Sequence, residues 1–186
     1  MKTVYFILAL LFSVSLLAQT PEERHFMDSL ANRPTALIGH PIPPFAAYSV
    51  SGKPYSNYSL RNKITLINFW FEACVPCMVE MEYLNQLYSY FSKNESFQFL
   101  SFTYDKREAV ERVISKHHIK FPVIPVSMDS CFSLNMNSGF PTTFISDANG
   151  KIAFFSEGGS LRSEEAQDSI KKNIYPVLER LLQKIK

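Results

Sequence analysis

The segment Ile64-Thr65-Leu66-Ile67-Asn68-Phe69-Trp70-Phe71 constrains the fold more than any other, because only Thr65 and Asn68 interrupt its apolar character. A strand with one wet face alternates apolar and polar residues, whereas a strand buried on both faces reads as a near-continuous apolar run. The chain must therefore place a layer on each side of this strand. The pattern then changes at Cys74-Val75-Pro76-Cys77: Cys77, Met81, Leu84, Tyr88 and Phe91 follow at spacings of 4, 3, 4 and 3. That is the single stripe of a helix lying on a sheet. Phe97 to Tyr104 reads as a second strand, and Ala109, Val110, Val113 and Ile114 mark a second amphipathic helix that ends near His117 and His118. Phe121 to Val126 is a candidate third strand. Thr142 to Ser146 and Ile152 to Phe155 flank an Asp147-Ala148-Asn149-Gly150 turn and predict an antiparallel hairpin. A long helix through Ile170, Ile174, Val177, Leu178, Leu181, Leu182 and Ile185 closes the chain, kinked or divided by Pro176. This order predicts an α/β fold: a central mixed β-sheet flanked by helices. Ahead of it, the alternation from Phe45 to Tyr58 around Ser51-Gly52-Lys53-Pro54 predicts an N-terminal β-hairpin extension.

The start of the chain has a different character. Lys2 precedes an apolar run from Val4 to Ala18 of about 15 residues, short of the roughly 20 that a membrane span needs. A charged start and an apolar middle match a secretory signal peptide over residues 1–18, with Ala18 as the small residue before cleavage. An uncleaved anchor is the alternative. Residues 19–35 read as a lead-in with one short helix, broken by Pro34, Pro41, Pro43 and Pro44, and residues 36–186 form the main domain. The expected location is outside the cytoplasm, in the periplasm or cell envelope, where disulfide chemistry is possible. The formal charge is +2, from 19 Lys and Arg against 17 Asp and Glu, which gives no electrostatic reason to expect a nucleic-acid partner.

Three cysteines are too few for a disulfide-stapled scaffold, so a cysteine pair points to chemistry before architecture. Cys74 and Cys77 sit where a buried strand hands over to a helix. The first turn of a helix has unpaired N–H groups and partial positive charge, and a thiolate there is stabilised. Pro76 is tolerated at that position because no donor is needed there. A structural disulfide closing so small a ring would constrain little chain, and a zinc site lacks a second ligand pair of ordinary spacing, since Cys131, His117 and His118 do not supply one. The expected chemistry is thiol–disulfide exchange, with Cys74 as nucleophile and Cys77 as resolving thiol. Glu80, three residues after Cys77, lies along the edge of the buried stripe, where desolvation raises a carboxyl pKa and suits it to moving protons to and from the pair. Cys131 is unpaired by count and reads as a small buried hydrophobe, with an exposed reactive thiol as the alternative.

With these residues in view, the chain resembles the thioredoxin superfamily, and within it the exported TlpA/ResA-like thiol-disulfide oxidoreductases, over about residues 36–186. The resemblance rests on Gly39-His40-Pro41-Ile42-Pro43-Pro44-Phe45, on Asn68-Phe69-Trp70-Phe71-Glu72-Ala73-Cys74-Val75-Pro76-Cys77 with Glu80, and on Gly139-Phe140-Pro141-Thr142-Thr143-Phe144-Ile145. It implies a thioredoxin-like fold, with a cis peptide bond before Pro141 that brings the Phe140–Pro141 backbone beside the cysteines. There it would pair with an incoming extended chain. It also implies that Trp70 packs near the disulfide and shapes the substrate-binding surface. Ala73 departs from the aromatic residue that family members often carry before the first cysteine, and Glu72 adds a negative charge that would oppose the thiolate if it points inward. Further implications are protein substrates with cysteines or disulfides, a membrane-bound electron donor or acceptor, no cofactor beyond the Cys74–Cys77 disulfide, and net reduction as the direction. Cytochrome c maturation is the setting to which the family leans. The alternatives are a peroxiredoxin-type thiol peroxidase, whose Pro-x-x-x-Thr-x-x-Cys loop is replaced here by the paired cysteine, and a copper-binding thioredoxin-like chaperone, which uses Cys-x-x-x-Cys with a distant His.

Overall fold

The computed structural model describes residues 35–185. Residues 37–186 form one compact unit. The expected signal peptide and most of the lead-in lie outside the described residues.

The sheet has five strands in the order β5-β4-β3-β6-β7. Strand β3 (Ile64–Trp70) lies parallel to β4 (Phe97–Thr103), which lies parallel to β5 (Val123–Pro125). On its other edge β3 pairs antiparallel with β6 (Thr142–Ser146), which turns back into β7 (Ile152–Glu157). Helix α1 (Val75–Phe91) joins β3 to β4, and α2 (Arg107–His117) joins β4 to β5. This is the mixed sheet that the order of patterns predicts, and the thioredoxin-like fold with it. The hairpin of β1 (Ala46–Tyr48) and β2 (Pro54–Ser56) forms a separate two-stranded ribbon, turned by Gly52 at φ +83°.

Alternation along β3 explains why its sequence looks uninterrupted. Ile64, Leu66 and Trp70 enter one hydrophobic cluster with α1 and the C-terminal helices, while Ile67 and Phe69 enter a second cluster on the opposite face. All seven residues of the strand are buried. Strand β4 repeats the division, with Phe97 and Phe99 on the first side and Leu100 and Phe102 on the second. The polar residues of β3 reach partners within the sheet, except for Asn68 Oδ1, which is buried without a hydrogen bond among the described residues. Asn68 stands opposite Thr143 in register and donates to its Oγ1 at 3.1 Å.

Three elements differ from the sequence expectation. The third strand is shorter, since Pro122 and Pro125 bound its ladder. A seven-residue helix, α3 (Met128–Leu134), follows it, capped by Ser127 Oγ accepting from Ser130 N–H. It is too short and too polar to show a stripe. The closing helix begins earlier, as α4 (Ser163–Ser169), opens into a π-helical turn at Ile170–Ile174, and resumes as α5 (Tyr175–Gln183). Pro176 sits in the first turn of α5. It has no N–H to return to the preceding turn, and the chain widens just before it.

Candidate active site

The β3 strand ends at Trp70, and the next residues turn so that Cys74 caps α1. Cys74 N–H donates to Phe71 C=O at 3.0 Å, which closes the turn. Cys74 and Cys77 form a disulfide. Cys74 Sγ is also the capping acceptor of the helix, receiving Cys77 N–H at 3.3 Å. Pro76 occupies the first turn, where its missing donor costs nothing. Cys74 keeps 6% of its surface exposed and Cys77 1%, so the pair is reached through Cys74. The ring is less outward than its place at a helix tip suggests, because both sulfurs pack into the Trp70 cluster. Ala73 and Val75 on either side are exposed, Val75 by 59%, and leave an open apolar rim.

Glu72 is tied to the neighbouring helix α2. Its carboxylate is held in a two-pronged ion pair by Arg112 of α2, Nε to Oε1 at 3.0 Å and Nη2 to Oε2 at 2.8 Å. That hydrogen-bonded guanidinium lowers the Glu72 pKa. The negative charge feared from the sequence is thus neutralised by a neighbouring helix. Asp105 holds the backbone of the same turn, its Oδ2 accepting from Glu72 N–H at 2.6 Å and from Thr103 Oγ1 at 3.1 Å. A cavity of about 760 Å³ near this pair is lined by Glu72, Met78, Arg112 and Val113 but by neither cysteine.

Glu80 follows Cys77 by one helical turn and is buried, with 8% of its surface exposed. No hydrogen bond or ion pair reaches it among the described residues, and burial alone raises its pKa to about 7. A folded-state pKa above the unfolded value of 4.5 sets the sign of its effect on stability. Below pH 4.5 both states hold the proton and the group is neutral in the balance. Between pH 4.5 and about 7 the unfolded chain gives up this proton while the folded carboxyl keeps it, so stability falls. Above 7 the full penalty of an ionised carboxyl in a dry site remains. Glu80→Gln should therefore stabilise the oxidised protein by on the order of 3 kcal/mol at about pH 8 and by little at about pH 4, checked by urea unfolding at the two pH values.

Phe140 and Pro141 are joined by a cis peptide bond. Pro141 C=O accepts from Gly158 N–H at 2.8 Å, and Gly139 N–H donates to Glu157 Oε1 at 2.7 Å. Among the described residues no hydrogen bond uses Phe140's own N–H or C=O. Its ring stands edge-on to Phe71, Tyr104 and Phe132, with centroids 5.3, 5.7 and 5.5 Å away.

Trp70 corrects one expectation. It shares a cluster with both cysteines but is wholly buried at 0% exposure, and its indole N–H donates to Ser101 Oγ at 2.5 Å. It supports the disulfide from beneath and presents no surface to a substrate. Cys131 is free, buried and remote in the second cluster, and burial pushes its thiol up to about 12. Sequence reasoning missed Arg112, Asp105, Ser101 and Gly159. Only the last left a signal: Gly158 and Gly159 are adjacent in a chain with six glycines.

Comparison with known proteins agrees with this geometry. The AhpC/TSA family model matches residues 38–155. Thiol-disulfide oxidoreductase ResA of Bacillus cereus is 29% identical over 128 residues, 68% of this chain and 73% of that protein. The Bacillus subtilis ResA is 26% identical over 115 residues, 61% of this chain and 64% of its own. In fold, a thiol:disulfide interchange protein of Chlorobium tepidum superposes with a TM-score of 0.61 at 23% identity, covering 77% of this chain and 97% of that one. A secreted Mycobacterium tuberculosis disulfide oxidoreductase gives 0.57 at 19% identity, over 69% and 95%. With the family model spanning more than half of the chain and a CxxC disulfide at the tip of α1, the protein belongs to the AhpC/TSA family of the thioredoxin superfamily and has the make-up of a thiol-disulfide oxidoreductase.

Proposed function

We propose that this chain reduces disulfides of exported proteins, with the Cys74–Cys77 pair as its only redox group and no added cofactor. The observation that carries the thiol–disulfide exchange is the capping contact: in the oxidised protein Cys74 Sγ accepts the Cys77 N–H at the positive end of α1. That place favours a thiolate when the disulfide opens. The reducing direction is the one that the resemblance to the TlpA/ResA-like proteins implies. The substrates are proteins carrying cysteines or disulfides. An extended substrate strand would pair with the unspent N–H and C=O of Phe140.

The steps balance as follows. The Cys74 thiolate attacks one sulfur of the substrate disulfide, a Cys74–substrate S–S bond forms, and the other substrate sulfur leaves and takes up a proton. Cys77 gives its proton to the Glu80 carboxylate and attacks Cys74 Sγ. The Cys74–Cys77 bond forms, the mixed disulfide breaks, and the second substrate sulfur leaves as a thiol, taking up the proton that Glu80 holds and returning it to a carboxylate. The substrate gains two electrons and two protons, and the pair is oxidised. A membrane-bound dithiol donor would restore it by the reverse sequence. The secreted relative and the charged, apolar start of residues 1–18 support export to the envelope. Among the described residues no helix is long and apolar enough to cross a membrane.

Redox titration of the pair against glutathione tests the direction. A reductase is expected to poise near or below thioredoxin, at about −270 mV; a value near −120 mV, that of the strong oxidants, would reverse the assignment. In the same system, Glu80→Gln should slow resolution of the mixed disulfide and remove the inflection near pH 7 from the rate profile, and an unchanged profile would take Glu80 out of the proton path.

A further inference from the structure

We propose that Gly159 is a positioning residue: its lack of a side chain lets the segment after β7 close over the Glu80 carboxylate and keep water from it. For its consequence in catalysis this rests on the proton-carrying role given to Glu80; the geometry stands apart from that role. A Cβ built on Gly159 would lie 2.9 Å from Glu80 Oε1 and 2.9 Å from Pro141 Cγ, closer than real Cβ contacts come. Glycine therefore sits against both the carboxylate and the proline ring.

The segment is not free to retreat. Gly158 N–H donates to Pro141 C=O at 2.8 Å, Glu157 Oε1 accepts Gly139 N–H at 2.7 Å, and Glu157 faces Thr142 across the β6–β7 ladder. These contacts hold residues 157 and 158, next to Gly159, to the Gly139–Thr142 segment at three points. A methyl group at 159 would thus meet a fixed proline ring on one side and the far end of a flexible side chain on the other. The side chain yields more cheaply than the ring, and any shift that admits the methyl group loosens the cover over Glu80. No hydrogen bond holds the carboxylate in place among the described residues.

Charge does not compete with burial in setting this site. Glu157 accepts from Gly139, Arg162 pairs with Glu165, the Tyr83 hydroxyl bonds Ser163 Oγ, Glu82 accepts from Gln86, and Cys74 is joined to Cys77. None of these groups shifts Glu80. The glycine strap sets the hydration of Glu80 by shape.

The test is the titration of the Glu80 carboxyl carbon by NMR in the oxidised full chain, its signal identified by loss in Glu80→Gln. In Gly159→Ala the midpoint should fall by at least one pH unit, a tenfold change in the ionised fraction. An unchanged midpoint in folded G159A would overturn the proposal. In kinetics, the inflection near pH 7 should move down with it in G159A and be absent from G159A/E80Q. If E80Q alone leaves exchange unaltered while G159A still moves the titration, the proton role fails and the strap stands. Should G159A fold poorly, the same substitution in a Glu80→Ala background decides: it should cost markedly less there, and an equal loss of melting temperature would place the clash on Pro141 alone and overturn the proposal.

Discussion

Cys74→Ser should abolish turnover of a protein disulfide, lowering the exchange rate by on the order of a thousandfold or more, the scale seen when a covalent nucleophile is removed. The reason is geometric. Cys77 is 1% exposed and cannot meet a substrate sulfur, so no second thiol stands in for the lost one. Cys131 is fully buried in the other cluster, and its raised pKa leaves almost no thiolate near neutral pH. The companion variant separates the two roles. Cys77→Ser should accept a substrate and stop, accumulating a Cys74–substrate mixed disulfide that mass spectrometry detects and added reductant removes. Ready release from C77S would show that a sulfur other than Cys77 resolves the intermediate.

The second large effect is on folding. Trp70→Ala should lower stability by about 3–5 kcal/mol, the usual cost of truncating a fully buried aromatic residue. Two further losses accompany the cavity. The Ser101 hydroxyl, itself buried, loses the indole N–H that it accepts, and the disulfide loses packing beneath it. Urea unfolding checks this: the midpoint should fall with the slope unchanged. Near-normal stability in W70A would show that the site collapses around the deletion. Trp70→Phe, which keeps most of the volume and loses the hydrogen bond, should fall between the two.

Much of the architecture is legible in the amino-acid order because burial on two faces leaves a mark on one strand. Ile64–Trp70 carries apolar residues for both clusters, so the run itself announces a sheet covered on each side. The α1 stripe and the Asp147–Gly150 turn are legible for the same reason, since periodicity and turn chemistry are local. What escapes is short or depends on distant partners. The helix Met128–Leu134 is held by its Ser127 cap and by Cys131 and Leu134 in the core, too few residues to make a period. At the site, the cysteine pair and Glu80 are readable by spacing along one helix. The pairing of Glu72 with Arg112 joins the turn after β3 to α2, and the approach of Gly159 to Glu80 joins the segment after β7 to α1. Neither follows from neighbours in sequence. Trp70 shows the opposite hazard: its place beside the motif suggests a contact surface, but alternation turns the ring inward, where Ser101 meets it.

The seclusion of Cys131 has a consequence for the order of events in the life of the chain. In the folded protein a single couple takes and gives electrons, two at a time, with no third sulfur to divert them. Before α3 settles, Cys131 lacks that shelter, and an oxidant arriving early can join it to either member of the pair. Such a cross-link would pin the wrong strands together and leave one catalytic sulfur orphaned. Collapse of the core must therefore run ahead of oxidation.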